Sequence, residues 1–364
     1  MLTWLEINKK NLAHNIKVYR KIAPYSEIWP VIKSNAYGHG FSNIAKLLDK
    51  NKDIKGFMVV SLEEALELKE ITSKDIMVLS YFVKKDQRLR DIDNISLPIY
   101  DLETAEYLNN LGKERKQKYI VNIKIDTGTT RLGFRVEESE EVIKEIQKLK
   151  YLEINSIYTH YAESEAEDQT FTIIQYKLFQ ELVNKFNIKS HSVCSAAALS
   201  QKEAQSTIIR LGICLYGLWP SKATKKRGKE ENLELKPVLT WKTKVIQVKE
   251  IKKGESIGYN RRYVLKKDSR VAVLPIGYNE GYDRSLSNKS SVIINDKKYF
   301  VRGNICMNLT MVEVDDTVRV GAEVILIGQS KNNEISVEEL AEFSNTINYE
   351  IVTRINSNIK RINI

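Results

Sequence analysis

Trp29-Pro30-Val31-Ile32-Lys33-Ser34-Asn35-Ala36-Tyr37-Gly38-His39-Gly40 begins as an apolar run, stops abruptly at a lysine and turns through two glycines. Ile28 to Ile32 has the β-branched and aromatic character of a buried strand, and the polar turn after it marks where the strand ends. A lysine at that point is held on a rigid element with its amine at the rim. There it can lose solvation, drop its pKa and form a Schiff base with an aldehyde. Taken alone, Lys33 reads as a surface residue closing a strand, because long charged side chains snorkel outward. Asn35, Tyr37, Gly38 and Gly40 beside it shift the reading toward a site.

A strand–helix rhythm continues from this run. Ile28–Lys33, Phe57–Ser61, Ile76–Phe82, Ser96–Tyr100, Tyr119–Asp126, Glu153–His160, Ser190–Ala196 and Ile208–Tyr216 are short segments rich in Val, Ile and Tyr. Helical patterns lie between most of them: Ser42–Leu48, Leu62–Lys69, Leu102–Leu111, Ser139–Leu149 and Phe171–Phe186. Ser61 with Glu64 fits a capping box, and Asp101 can cap the helix opened by Leu102. Eight strands alternating with helices predict a parallel (β/α)8 barrel. A doubly wound open sheet fits the same rhythm, but no GxGxxG follows the first strand. After Gly217 the rhythm changes. Ser221 to Lys236 is charged, without periodicity and closed by Pro237, and reads as a loop or linker. Strands without intervening helices follow, with short turns at Lys253-Gly254 and Asn295-Asp296, as in an antiparallel β domain. Ser336 and Glu339 form a second capping-box pattern, and Tyr349 to Ile364 reads as a final strand. The fold class is therefore α/β: an N-terminal TIM-type barrel over residues 1–224 and a C-terminal antiparallel β domain over residues 225–364.

The 364 residues exceed what one core usually supports, in keeping with two domains. The net charge of +10 could attract a polyanion, but 47 acidic residues are interleaved with 57 basic ones. The one dense basic cluster, Lys222 to Lys229, lacks the aromatics of a nucleic-acid platform. We read the charge as a solvated surface, with no nucleic-acid partner. The 3 cysteines, Cys194, Cys214 and Cys306, have no CxxC spacing, which suggests a reducing, cytoplasmic setting and no Cys-based metal site. Met1 leads straight into a strand-like segment and no apolar run reaches about 18 residues, so neither a signal peptide nor a membrane span is expected.

In a (β/α)8 barrel, chemistry is built where the strands run out. Lys33 and Tyr37 follow the first strand. Lys124, Asp126 and Arg131 follow the fifth, His160 the sixth and Ser195 the seventh, while Arg210, Gly212 and Tyr216 accompany the eighth. Singly, each has an ordinary structural explanation: an ion pair, a hydrogen-bonded histidine, a turn or core residue. Together they form a cationic rim suited to a phosphorylated cofactor or a carboxylate substrate.

Val31-Ile-Lys33-Ser-Asn-Ala-Tyr-Gly-His-Gly40 resembles the cofactor-lysine motif of the alanine racemases, fold type III enzymes that use pyridoxal 5'-phosphate. Ile123-Lys-Ile-Asp-Thr-Gly-Thr-Thr-Arg-Leu-Gly-Phe134, Thr159-His-Tyr-Ala162, Arg210-Leu-Gly-Ile-Cys-Leu-Tyr-Gly217, Ser256-Ile-Gly-Tyr-Asn260, Leu274-Pro-Ile-Gly-Tyr-Asn-Glu-Gly-Tyr282, Gly303-Asn-Ile-Cys-Met307 and Asn348-Tyr-Glu350 follow in that family's order. The resemblance implies a homodimer in which each active site is completed by the partner's β domain. It makes Lys33 the Schiff-base lysine. It gives the phosphate to Tyr37, Ser195, Tyr349 and the backbone near Gly212 and Ile213, and it sets Arg210 against the pyridine nitrogen. Tyr259 of the partner subunit becomes the second base, contacted by His160. Arg131 and the Met307 backbone hold the substrate carboxylate, Tyr278 narrows the entrance, and Lys124 matches a position carbamylated in some members. The implied reaction is the interconversion of L- and D-alanine by two bases, supplying D-alanine for peptidoglycan, with no metal. Racemisation of serine or other amino acids is the alternative. Decarboxylases of this fold are a further one, but they place an acid where Arg210 stands. The chain departs from the family at Asn308, where aspartate is usual, and at Cys194, Asn260, Glu280, Thr129 and Thr130.

Overall fold

The computed structural model describes residues 1–90, 92–200 and 207–364. The first strand, β1 (Thr3–Ile7), is followed by a helix over Lys9–Ile22, whose amino end is capped by the Asn8 side chain. Eight parallel strands follow: β2 (Glu27–Pro30), β3 (Gly56–Ser61), β4 (Asp75–Tyr81), β5 (Ile95–Ile99), β6 (Tyr119–Asp126), β7 (Leu152–Tyr158), β8 (Ser190–His191) and β9 (Ile208–Leu211). β3 to β8 pair in sequence order, and β9 pairs with β2. Bridges at Ile28–Ile54 and Val31–Met58 join β2 to the β3 side, and a bridge at Cys194–Arg210 joins the β8 side to β9, so the ring closes. Its strands are nearly continuous apolar runs because both faces are covered.

The second domain is built on two sheets. One has 7 strands and runs Lys297–Phe300, Ser291–Ile294, Glu323–Gln329, Leu239–Lys244, β1, Lys360–Asn363, with Glu334–Ile335 added to Glu323–Gln329. The other has 3, over Gln247–Ile251, Ser269–Leu274 and Thr310–Val314. All pairs in these two sheets are antiparallel except that of β1 with Lys360–Asn363. The chain's first strand thus lies in the second domain's sheet, between residues from its far end.

The structure differs from the sequence expectation at four other places. β2 stops at Pro30, and Lys33 opens a turn instead of ending the strand. Ser190–Ala196 and Ile208–Tyr216 are each a short strand followed by a helical turn, Ser195–Ser200 and Ile213–Tyr216. The segment taken as a linker contains a helix over Lys222–Glu230, so the boundary expected between 224 and 225 falls within a helix. That helix has no apolar stripe to announce it. It starts at Ser221, whose Oγ accepts from the Thr224 amide, and Arg227 anchors it by donating to the carbonyls of Ala166 and Glu167. Finally, Tyr349 belongs to a helix over Asn348–Thr353, and only Lys360–Asn363 near the end of the chain is a strand.

The turn after β2 is the most unusual piece of backbone. Ser34, Asn35, Ala36 and Tyr37 have φ of 55, 55, 52 and 52°, and Gly38 follows at 80°. Left-handed backbone costs each L-residue about 1–2 kcal/mol. Contacts from distant parts of the chain offset that cost. The Glu64 carboxylate accepts from the Ser34 amide at 2.7 Å and from the Val60 amide at 2.8 Å. The Asn35 Oδ1 accepts from the Phe41 amide, and Arg361 donates to the Gly38 carbonyl at 2.8 Å. Gly38 is doubly required, because a Cβ there would lie 1.8 Å from the Val352 carbonyl oxygen.

Gly38→Ala should therefore cost more than about 3 kcal/mol, since backbone cannot give way. Gly254→Ala is the control. Gly254 is also left-handed, at φ 87°, but a Cβ there meets nothing within 4 Å. It should cost only about 1 kcal/mol. Chemical denaturation of both variants measures the difference.

Candidate active site

A cavity of about 420 Å³ opens at the carboxyl ends of the barrel strands. Lys33, Tyr37, Lys124, Arg131 and His160 line it, as do Ser195, Arg210, Gly212, Ile213 and Tyr349. Residues picked from six separate stretches of sequence thus converge on one space. Tyr259, Tyr278 and Met307 do not line it. They are 70%, 44% and 56% exposed and lie on one edge of the second domain. The Tyr278 amide donates to the Cys306 carbonyl, the Asn279 amide to that of Met307, and the Asn304 side chain to that of Tyr259.

Arg210 is the electrostatic centre of the cavity. It is 5% exposed, and its guanidinium is held by carbonyls and imidazoles. It donates to the carbonyls of Thr159, His191 and Ser192, to His191 Nδ1 at 2.8 Å and to His160 Nδ1 at 3.1 Å. A guanidinium can only donate, so both histidines present a bare Nδ1 and carry their proton on Nε2. Burial, then the Arg210 charge, holds both imidazoles well below the usual histidine range. The Lys33 amine is lowered by desolvation and then by Arg131, while Glu64 works in the opposite direction. Lys124, packed with Nζ 4.9 Å from the centre of the Tyr158 ring, is lowered further by burial and the charges of Arg210 and Arg131.

Two more features fit small anions. Tyr37, Ser195 and the start of the Ile213–Tyr216 turn meet at Gly212. Its amide donates to Ser195 Oγ at 2.9 Å, and a Cβ there would come within 2.9 Å of the Tyr37 hydroxyl and 3.8 Å of Ser195 Oγ. The Tyr349 ring lies 6.2 Å from that of Tyr37. Hydroxyls and backbone amides gathered where no side chain fits are the donors a phosphate needs. Arg131 is carried on a loop wound around one carboxylate. Asp126 accepts from the amides of Gly128, Thr129, Thr130 and Arg131. Among the described residues no cluster of three or more His, Cys, Asp or Glu could hold a metal ion. No helix among them is long and apolar enough to cross a membrane.

The sequence reading missed several contributors. By sequence Glu64 reads as half of a capping box. Ser61 does accept from the Glu64 amide, but the Glu64 carboxylate reaches Val60 and Ser34 instead of closing on Ser61. His191 and Arg361 carried no motif. Gln175 did carry a signal, being polar on the buried stripe of Thr172, Gln175, Phe179 and Leu182. Two of the departures turn out to be partners: Asn308 Nδ2 donates to the Glu280 carboxylate at 2.7 Å, and Glu280 also accepts from the Gly277 amide.

Burial pushes His39 down from 6.5 to about 4. Above pH 6.5 it is neutral in both folded and unfolded chains. Between 6.5 and about 4 only the unfolded chain takes up the proton, so stability falls as pH falls through that window. The His39 contribution is about 3 kcal/mol. His39→Gln should flatten the pH dependence of unfolding between pH 6.5 and about 4, whatever its effect at neutral pH. Urea denaturation at a series of pH values measures this.

Comparison with known proteins agrees with this geometry. Residues 7–220 match the family described as alanine racemase, N-terminal domain, and residues 238–363 match alanine racemase, C-terminal domain. An alanine racemase from Carboxydothermus hydrogenoformans is 36% identical over 99% of this chain and 98% of its own. The structure of an alanine racemase from Clostridium difficile 630 superposes with a TM-score of 0.91 at 33% identity, covering 100% of this chain and 96% of that one. A histidine racemase from Leuconostoc mesenteroides superposes with a TM-score of 0.90 at 26% identity, covering 100% of this chain and 98% of that one. With matches over both domains and nearly its full length, the chain belongs to the alanine racemase family of isomerases.

Proposed function

We propose that this enzyme interconverts L- and D-alanine with pyridoxal 5'-phosphate as cofactor, using Lys33 on one subunit and Tyr259 of the partner subunit as opposed bases. The observation that carries the reading is the cavity itself. It gathers two desolvated amines, Lys33 and Lys124, among phosphate-type and carboxylate-type donors, while Tyr259, the phenol we assign as the second base, does not line it. Lys33 would carry the cofactor. Tyr37, Ser195, Tyr349 and the amides of Gly212 and Ile213 would hold its phosphate, with Arg210 against the ring nitrogen. The cofactor supplies an electron sink that acidifies the α-proton of a bound amino acid.

The protein's own groups supply the rest. Arg131, with the backbone of Met307 of the partner subunit, takes the carboxylate and fixes the substrate in the cavity. The Lys33 amine, lowered by burial and Arg131, is a free base over more of the neutral range than an ordinary lysine and takes or returns a proton on one face of the α-carbon. The opposite face needs a second base, which we assign to the partner subunit. Tyr259, exposed beside Tyr278, Met307 and the 40%-exposed Leu309, offers a phenol on an apolar edge suited to an interface between copies. His160, with Nδ1 occupied by Arg210, keeps an Nε2–H with which to stabilise a phenolate. The Arg210 cation limits how far charge is drawn from the α-carbon, which favours prompt return of the proton. Lys124, held well below the usual lysine range by burial and then by Arg210 and Arg131, is suited to react with carbon dioxide, and the resulting carbamate would meet those cations. Tyr349 at the cavity wall leaves room for a methyl side chain, so alanine is the substrate we favour, with a racemase acting on serine or a larger residue as the alternative. Three free cysteines suit a reducing cytoplasm, and peptidoglycan synthesis is the natural consumer of D-alanine.

Purified protein should be yellow and racemise L-alanine faster than serine or histidine, by chiral chromatography. Lys33→Ala should lose the visible absorbance, and its persistence would place the cofactor on another lysine. Tyr259→Phe should keep the absorbance, slow turnover by about 10²–10⁴-fold, and raise the α-deuterium isotope effect for one enantiomer far more than for the other. Equal effects for both enantiomers would contradict two opposed bases.

A further inference from the structure

Gln175 lies 15 residues beyond His160 and 20 before Ser195, on the helix Thr170–Phe186, and yet is 0% exposed. A buried primary amide must place all its donors and acceptors, so what it bonds is informative. Its Oε1 accepts from the Ala162 amide at 2.9 Å. Its Nε2 donates to Thr127 Oγ1 at 3.1 Å and, more weakly, to the His160 carbonyl at 3.4 Å. Thr127 lies at the root of the loop that carries Arg131, and Ala162 is two residues beyond His160. One side chain therefore bridges the carboxylate-binding loop and the imidazole-bearing loop. Further contacts close the bridge. Thr127 Oγ1 and Thr159 Oγ1 lie 2.8 Å apart, and Thr129 Oγ1 donates to the His160 carbonyl at 2.6 Å. The same helix also presses on the Arg131 loop. Gly128 has φ 133°, and a Cβ there would meet the Phe171 ring at 2.8 Å and Gln175 Nε2 at 3.5 Å.

We propose that Gln175 is a positioning residue that holds the Arg131 loop and the His160 loop in register, so that substrate-carboxylate capture and imidazole orientation are set together. The bridge is directional. Oε1 is committed to Ala162, which turns the amide nitrogen toward Thr127 and His160. Replacing the amide by a carboxylate keeps the first contact and removes the donors. Replacing it by a thioether removes all three. The proposal rests on the racemase reading for its catalytic meaning, whereas the coupling of the two loops can be measured without turnover.

The test uses purified protein as isolated, with Gln175→Met and Gln175→Glu beside the unaltered chain. Backbone amide hydrogen exchange is followed by mass spectrometry, and inhibition by propionate, a carboxylate without an amine, is measured in the racemisation assay. In Gln175→Met, exchange at Gly128–Arg131 and at Ala162 should accelerate together, about tenfold or more, with the 34–40 turn unchanged, and the propionate inhibition constant should rise about tenfold. The α-deuterium isotope effect should also change for one enantiomer more than for the other. In Gln175→Glu, Ala162 should stay protected while Gly128–Arg131 does not. Should Gln175→Met fail to fold, Gln175→Glu and Thr129→Val still decide the matter, the latter through the propionate constant. Unchanged exchange at Gly128–Arg131 in both Gln175 variants, or a uniform rise across the chain with the propionate constant fixed, would overturn the positioning role. If the unaltered protein does not racemise alanine, the functional reading fails by itself, and the exchange result still judges the bridge.

Discussion

A buried guanidinium without a carboxylate organises this site. Arg210 is surrounded by three carbonyls and two imidazole nitrogens. A carboxylate partner would have neutralised it locally. Carbonyl and imidazole partners satisfy its donors and leave its charge in place. That charge is then felt by every basic group nearby. Burial first and that charge second hold His160, His191 and Lys124 well below their ordinary ranges, and burial, Arg131 and, least, Arg210 lower Lys33. The proposed chemistry, which asks one site to take a phosphate and a carboxylate beside a basic amine, is served by that combination.

The second constraint is mechanical. Lys33 sits at the head of a left-handed turn that its own sequence does not favour, and the rest of the fold imposes it. Glu64, on the helix after β3, holds the turn from the barrel side. Arg361 holds it from the second domain, near the end of the chain, and the Val352 carbonyl fills the space that any side chain at position 38 would need. The two domains therefore share one hydrophobic core and also their hold on one turn. β1, paired on both sides by distant strands, ties the start of the chain to the same assembly.

What the sequence discloses follows from how each feature is encoded. The eight barrel strands were legible because double-sided burial writes them as short apolar runs. The cavity residues were legible because a barrel puts its chemistry at strand ends, where Lys33, Arg131 and His160 interrupt apolar sequence. The handedness of the 34–37 turn was not, since only Asn35 among those residues tolerates that backbone readily and the rest is tertiary. The Lys222–Glu230 helix was missed because its stability comes from a cap and an arginine clamp and not from a stripe. Tyr349 was read as strand because a helix of 6 residues is too short to show a period. Glu64 looked like a capping residue since local pattern gives no hint that its carboxylate crosses to residue 34. Gln175, a polar residue on an apolar face, offered a signal that the sequence reading passed over, and its partners could be known only from the fold.

In the proposed mechanism each site needs groups from two chains: a cofactor-bearing lysine from one and a phenol from the other. Subunit complementation tests it most directly. Lys33→Ala and Tyr259→Phe proteins should each be nearly inactive in alanine racemisation. Unfolded, mixed in equal amounts and refolded together, they should form dimers half of which hold one intact site, restoring about a quarter of the unaltered activity. A mixture no more active than its components, with mixed dimers demonstrated by mass spectrometry, would contradict the account.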